Sequence, residues 1–167
     1  MRGRLTTWIA LASAIAAAAC GARSEPPHGS EPVDLAYALD GEPHRLSELR
    51  GRPLVLVLIR TSEVVSQMYL DEVAEAHART AGRLRFLVLT IEPSEAPFVD
   101  LFRESEGLPF PVGVAEADVA QGRSGLGLIP LVPSTYLVAP DGRVEDVAAG
   151  AVPAEDIVRE VERRRWP

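Results

Sequence analysis

The chain has 167 residues, with 17 basic residues that are all arginine, 24 acidic residues and a formal net charge of −7. An acidic protein is repelled by nucleic acid and by anionic lipid, so neither is an expected target. Its single cysteine cannot form a dithiol pair, and no Cys/His pair has the spacing of metal ligands, so no metal and no other cofactor is expected.

Residues Met1–Thr7 carry Arg2 and Arg4 and no acid, and Trp8–Ala19 form an apolar run rich in alanine. A short positive head before such a run describes a secretory signal over residues 1–19. The run falls short of the about 20 apolar residues that span a bilayer. Ala17-Ala18-Ala19-Cys20 resembles a bacterial lipoprotein signal, with Ala17 in the place usually held by leucine. Cys20 is then the lipidated first residue of the mature chain, and the lipid anchor implies a membrane as partner. Ordinary cleavage at an Ala-x-Ala site and an uncleaved anchor stand as the other readings. Loss of residues 1–19 removes two arginines and no acid, taking the net charge from −7 to −9. Residues 20–33 read as the lipidated cysteine and a flexible linker, because Gly21–Pro32 is rich in Pro, Gly, Ser and Glu and has no apolar period. Fully extended, that linker reaches roughly 40 Å. His28 falls within it and is expected to be solvated.

Residues 34–167 are expected to form one domain with its own core. Asp34–Leu39 reads as a short strand closed by an Asp40-Gly41 turn. Leu46–Pro53 reads as a turn of helix and a loop. Leu54–Ile59 is six apolar residues in a row, as in a strand buried on both faces. A helix is predicted from Glu63 to Arg79, N-capped by Thr61 or Ser62, with Val65, Met68, Tyr69, Val73 and Ala76 on its inner face. Leu84–Ile91 reads as a second buried strand. Pro93–Ser105 reads as a second helix with Phe98, Leu101, Phe102 and Ser105 inward, ended by Gly107. Phe110–Val114 is a short strand, and Ala115–Leu131 is loop-rich. Its Gly122–Gly127 stretch lacks the lysine of a phosphate loop and reads as a flexible connector. Thr135–Val138 and Val144–Ala148 form a hairpin around Pro140-Asp141-Gly142-Arg143. Pro153 opens a C-terminal helix with Ile157, Val158 and Val161 inward and Arg163-Arg164-Arg165 at its end, favourable to the helix dipole. The order βαβαβ, then a β-hairpin, then α, predicts an α/β fold whose parallel strands are joined by crossover helices and whose sheet is closed by an antiparallel pair.

Three stretches stand in a telling order. They are Leu39-Asp40-Gly41 with Leu46-Ser47-Glu48-Leu49-Arg50-Gly51-Arg52-Pro53 and the apolar strand, then Gly107-Leu108-Pro109-Phe110-Pro111-Val112, then Val132-Pro133-Ser134-Thr135-Tyr136-Leu137-Val138 with Asp141-Gly142-Arg143-Val144. Over residues 34–165 this set resembles the thioredoxin-like redoxins of bacterial envelopes, the TlpA-like and peroxiredoxin-related group. The resemblance implies a thioredoxin-like fold, a central mixed β-sheet flanked by helices. It also implies a Cys-x-x-Cys pair at the start of the helix after the apolar strand. Those positions hold Glu63 and Ser66, with Val64 and Val65 between them. No thiol is left to attack as a thiolate or to resolve a mixed disulfide. A peroxiredoxin would carry its cysteine three residues after Thr61, where Val64 stands. The copper-carrying relatives use two cysteines in this loop and a distal histidine, and both cysteines are missing. The resemblance further implies a cis Val132–Pro133 bond facing the degenerate positions, in a loop of Val132, Pro133 and Ser134 whose backbone pairs with extended peptide; the other reading is a purely structural cis turn.

Glu63 has two readings. In one it keeps the geometry of the site, its carboxylate held by the backbone N–H groups and positive dipole of the helix start. In the other it is an ordinary first-turn acid beside a solvated Ser66. His44 and His77 are isolated and read as surface or partner-facing residues. Ser62, His77 and Asp71 lack any local signature of a hydrolase. The function expected is a membrane-tethered thioredoxin-like lipoprotein of the cell envelope, facing the periplasm or the exterior. It would be redox-inactive, no enzyme, and a binding or scaffolding module for an envelope protein or peptide. The alternative is a thiol-disulfide oxidoreductase or peroxiredoxin-related enzyme working through partner thiols.

Overall fold

The computed structural model describes residues 22–24, 31–80, 82–129 and 131–166. The expected signal peptide, Cys20 and His28 lie outside the described residues. Eight strands make one mixed sheet: β1 (Ala22–Ser24), β2 (Ala36–Leu39), β3 (Glu42–Arg45), β4 (Leu54–Ile59), β5 (Arg85–Thr90), β6 (Val112–Ala115), β7 (Ser134–Val138) and β8 (Val144–Ala149), in the order β1-β8-β7-β4-β5-β6-β2-β3. The described α-helices are α1 (Val64–Thr80), α2 (Val99–Ser105), α3 (Ala117–Ala120) and α4 (Ala154–Arg164). Strands β4, β5 and β6 run parallel, β7 is antiparallel to β4, and β8 is antiparallel to β7. This is the expected α/β arrangement, a central mixed sheet flanked by helices.

The apolar run of β4 forms the middle of the sheet, and alternation divides it between two cores. Val55, Val57 and Ile59 pack with Tyr69, Leu70 and Val73 of α1 and Ile157, Val158 and Val161 of α4. Leu54, Leu56 and Leu58 pack on the other face with Tyr37, Leu46, Leu126 and Tyr136. A strand with six consecutive apolar residues needs a cover on each face; the helices supply it on one side, and Val33, Leu35, Leu46, Val119 and Leu126 supply it on the other.

Several elements depart from the sequence reading, each for a physical reason. Asp40-Gly41 turns the chain as expected, with φ of 51° and 79°. Positive φ at both turn residues suits a two-residue hairpin loop. Its partner β3 reads Glu42-Pro43-His44-Arg45 and has no apolar residue to betray it. It pairs Tyr37 with His44 at the sheet edge, where a proline is tolerated. The second helix divides into a 3-10 helix over Pro93–Phe98 and α2, with Pro97 inside the first piece. Proline lacks the N–H that an α-helix needs there. Phe98 and Leu101 are therefore exposed, contrary to expectation, and Val99 is buried instead. The stretch expected to be loop-rich contains α3, and Leu126 of the glycine-rich connector lies in the second core. Three residues of the expected linker form β1, with Ala22 opposite Ala149 and Ser24 opposite Val147. At the other terminus Arg164 does more than favour the dipole. Its side chain is mostly buried and makes ion pairs with Glu160, Glu145 and Asp146.

Candidate functional site

The carboxyl ends of β4 and β5 lie side by side, with Ile59 opposite Thr90, and the antiparallel β7 begins at the same end, with Leu58 opposite Ser134. Loops leaving this end of an open sheet form the crevice in which such folds place their chemistry. The segments leaving it here carry Glu63, Ser66, Pro133 and the residues just after β5. The topology thus brings Glu63, Ser66 and the proline loop to one end of the sheet.

Helix α1 starts at Val64, so Thr61 and Ser62 precede its cap and Glu63 occupies the cap position, its carbonyl accepting from the Gln67 N–H at 3.1 Å. The buried stripe of α1 is Ser66, Tyr69, Leu70, Val73, Ala76 and Thr80. Tyr69, Val73 and Ala76 are inward as expected, and Ser66 and Leu70 take the places expected for Val65 and Met68. Val65 and Met68 are exposed, Met68 by 68%. Ser66 is fully buried, contrary to the reading of a solvated serine, and its Oγ accepts the Arg60 N–H at 3.3 Å. One turn on, the Tyr69 hydroxyl meets Thr135 Oγ1 at 2.6 Å. Burial pushes the Tyr69 phenol up to about 12, with the Thr135 hydrogen bond opposing and the Glu72 charge adding to the rise. This bond ties the first turns of α1 to the strand that follows the proline loop.

The Val132–Pro133 bond is cis. Val132, Pro133 and Ser134 are all buried. The Gly150 N–H donates to the Pro133 carbonyl at 2.8 Å, and Ser134 Oγ donates to the Leu131 carbonyl.

Glu63 does not take the place of a thiolate at the helix start. Its carboxylate pairs with the Arg60 guanidinium at 2.9 Å. The carboxylate that reaches the backbone of this loop belongs to Glu95, in the 3-10 helix after β5. It accepts from the Thr61 N–H and the Ser62 N–H, both at 3.2 Å, and from the Thr90 hydroxyl at 2.5 Å. Beside it, Glu92 accepts from Ser62 Oγ at 3.3 Å and lies 3.5 Å from the Arg60 guanidinium. Burial alone would raise the Glu95 carboxyl. Hydrogen bonds from Thr61 and Thr90, with the one it shares with Glu92, hold it down at about 2. Glu92 is pushed up, first by that shared bond, then by desolvation and the neighbouring Glu95 charge. A carboxylate latch therefore crosses between the ends of the two central parallel strands.

Sequence reasoning missed Arg60, Thr90, Glu92 and Glu95. Their signal was the pair of acids three residues apart directly after the second buried strand, which parallel pairing carries to the loop after the first. The latch satisfies backbone groups over a sequence separation of more than thirty residues, and nothing local in Thr61 or Ser62 announces it. His44 pairs with Glu48 at 3.0 Å, and His77 packs edge-on against Phe86 and Phe110, so neither joins this site. Among the described residues no group of three or more His, Cys, Asp or Glu is arranged to hold a metal ion.

No protein-family model matches the chain. Two curated relatives are the thiol-disulfide oxidoreductases ResA of Geobacillus kaustophilus and Geobacillus thermodenitrificans. They are 30% and 28% identical over 139 residues, which cover 80% of this chain and 76% of each relative. Among solved structures, a DsbF homologue from Corynebacterium diphtheriae superposes with a TM-score of 0.68 at 16% identity, over 79% of this chain and 85% of that one. The exposed lipoprotein thioredoxin of Streptococcus pneumoniae superposes with a TM-score of 0.61 at 16% identity, over 78% and 98%.

Proposed function

The chain belongs to the thioredoxin-like redoxins of the cell envelope, the family of the ResA thiol-disulfide oxidoreductases, and from that premise we propose that it is a redox-inactive member. It acts as a membrane-tethered binding or scaffolding module of the envelope. The observation that carries this is the thiol-free, closed centre. Glu63 is engaged by Arg60, Ser66 is fully buried, and the loop N–H groups before α1 are taken by Glu95. Thiol-disulfide exchange runs through a thiolate and a mixed disulfide, and neither sulfur exists here. What the site keeps on the outside is an apolar surface at the start of α1, where Val64, Val65 and Met68 are exposed and the proline loop is buried.

Tethering rests on Cys20 at the end of the apolar leader, and an exposed lipoprotein among the structural neighbours supports it. The partner expected in the envelope is a protein or an extended peptide.

The mature chain should not reduce insulin. Glu63→Cys with Ser66→Cys should form an internal disulfide and acquire reductase turnover, because the two positions lie one helical turn apart, within disulfide reach. Turnover by the unaltered chain would favour the other reading, an oxidoreductase that works with partner thiols. Failure of the double variant to oxidise would show that these are not the family's redox positions.

A further inference from the structure

Most of the exposed large apolar side chains among the described residues lie toward one end of the molecule. Val64, Val65 and Met68 are on the first turns of α1, after the carboxyl end of β4. Phe98 and Leu101 lie on the segment that follows the carboxyl end of β5. Leu128 and Leu131 precede the amino end of β7, and the Leu131 side chain lies beside Gly150 at the carboxyl end of β8. These strand ends coincide through the registers Ile59–Thr90, Leu58–Ser134 and Ser134–Ala149. The opposite end carries exposed charged side chains such as the Arg83–Glu162 pair. Apolar side chains gathered on one rim of a soluble domain mark a contact surface.

Strand β1 says what that rim meets. It pairs antiparallel with β8, so Ala22 stands opposite Ala149, at the same end as the rim. Cys20 is two residues upstream, and two residues of chain reach at most about 7 Å. We propose that the apolar rim around the degenerate site is docked on the bilayer surface itself. This rests on the lipid anchoring read above. A diacylglyceryl group on Cys20 would enter the membrane next to Leu131 and the proline loop, with only Gly21 between the anchored residue and the sheet. The tether is then short and directional. Side chains such as Met68 and Leu131 would settle at the headgroup boundary, as the apolar faces of peripheral proteins do. Glu63, Glu92 and Glu95 outnumber Arg60 at this rim, so the lipid it fits is zwitterionic.

Site-directed fluorescence on the lipidated full chain tests this. Cys20 is the sole native cysteine, and lipidation removes its thiol, so a single introduced cysteine carries the dye. Met68→Cys, Leu131→Cys and Glu162→Cys are each labelled with an environment-sensitive dye, in phosphatidylcholine vesicles containing acyl-chain spin-labelled lipid. The expected result is a blue shift and quenching at positions 68 and 131 and neither at 162. Intact mass reports the anchor separately. A lipidated chain with no quenching at 68 and 131, or with equal quenching at 162, overturns the docking and leaves the anchoring intact. A chain without lipid on Cys20 overturns both.

Discussion

In β4 all six residues from Leu54 to Ile59 are buried, while a few residues later, in α1, Val64, Val65 and Met68 are exposed and the serine among them is not. Both segments carry large apolar side chains, and they are joined by only residues 60–63. The difference lies in what surrounds them. A central strand has a layer on each face, so all its side chains go inside. The start of a helix at the end of a sheet has a core on one side only, and its other side faces outward. Ser66 can be inside because it has a partner, the Arg60 N–H. A buried hydroxyl that is hydrogen-bonded avoids the penalty of an unsatisfied one.

The sharpest way to break this comparison is a truncation in the strand. Leu58 is fully buried in the second core. Leu58→Ala should lower the unfolding free energy by about 3–5 kcal/mol, the range for a leucine deleted from a packed interior. Denaturant unfolding measures it. A loss below about 1 kcal/mol would mean that the sheet interior is as loosely packed as the helix start.

The latch between the two regions should give the next largest effect. Glu95→Ala removes an ionised acceptor from the Thr61 and Ser62 N–H groups and the Thr90 hydroxyl. Hydrogen bonds to charged groups are worth about 1.5–3 kcal/mol, and partial exposure lowers this, so a loss of about 1–2 kcal/mol is expected at neutral pH. The Glu95 carboxyl is depressed from 4.5 to about 2 in the fold. Its contribution is therefore present above pH 4.5 and is lost as the pH falls toward 2. The wild type and Glu95→Ala should converge in stability over that interval. Glu92 has the opposite sign: its carboxyl is raised, so whatever it contributes is present at low pH and lost as the pH rises. Glu92→Gln should thus leave neutral-pH stability unchanged or raise it. A wild-type advantage over Glu95→Ala that grew with acidification would refute the latch.

These expectations also mark where the sequence could be read. Strand β4 was legible to the residue, because six apolar positions in a row admit few arrangements. The order of strands and helices followed from periodicity, and the proline loop and the degenerate positions followed from a resemblance. What was illegible depends on distant partners. Strand β3 is polar and held by Tyr37–His44 and its neighbouring pairs. The inner face of α1 is set by Tyr69 against Thr135 and by Ser66 against Arg60. Glu95 reaches its partners only after β4 and β5 have paired. In each case the deciding contact lies in another element, and local hydropathy even points the wrong way at Val65 and Met68.

A milder probe of the same junction is Tyr69→Phe. It keeps the ring in the core and removes the hydroxyl that meets Thr135. A net loss of about 1 kcal/mol is expected, typical of one buried hydrogen bond. If the loss is negligible, something other than this bond orients the first turns of α1 against β7.

The smallest expected effect is the most telling for the comparison. Val65→Gln with Met68→Gln replaces two apolar side chains that the sequence pattern alone would assign to the core. If they were core residues, the pair would cost several kcal/mol, as buried truncations to polar groups do. Their exposure, 57% and 68%, predicts otherwise. Exposed substitutions away from special features stay within about 0.5 kcal/mol. Glutamine is as good a helix former as methionine, and it is better than β-branched valine, so the helix itself should not object. The midpoint of unfolding should therefore barely move, in contrast with Leu58→Ala a few residues upstream. A loss above about 2 kcal/mol would place these side chains in the core. The opposed fates of β4 and the start of α1 would then be lost, and with them the exposed rim at the degenerate site.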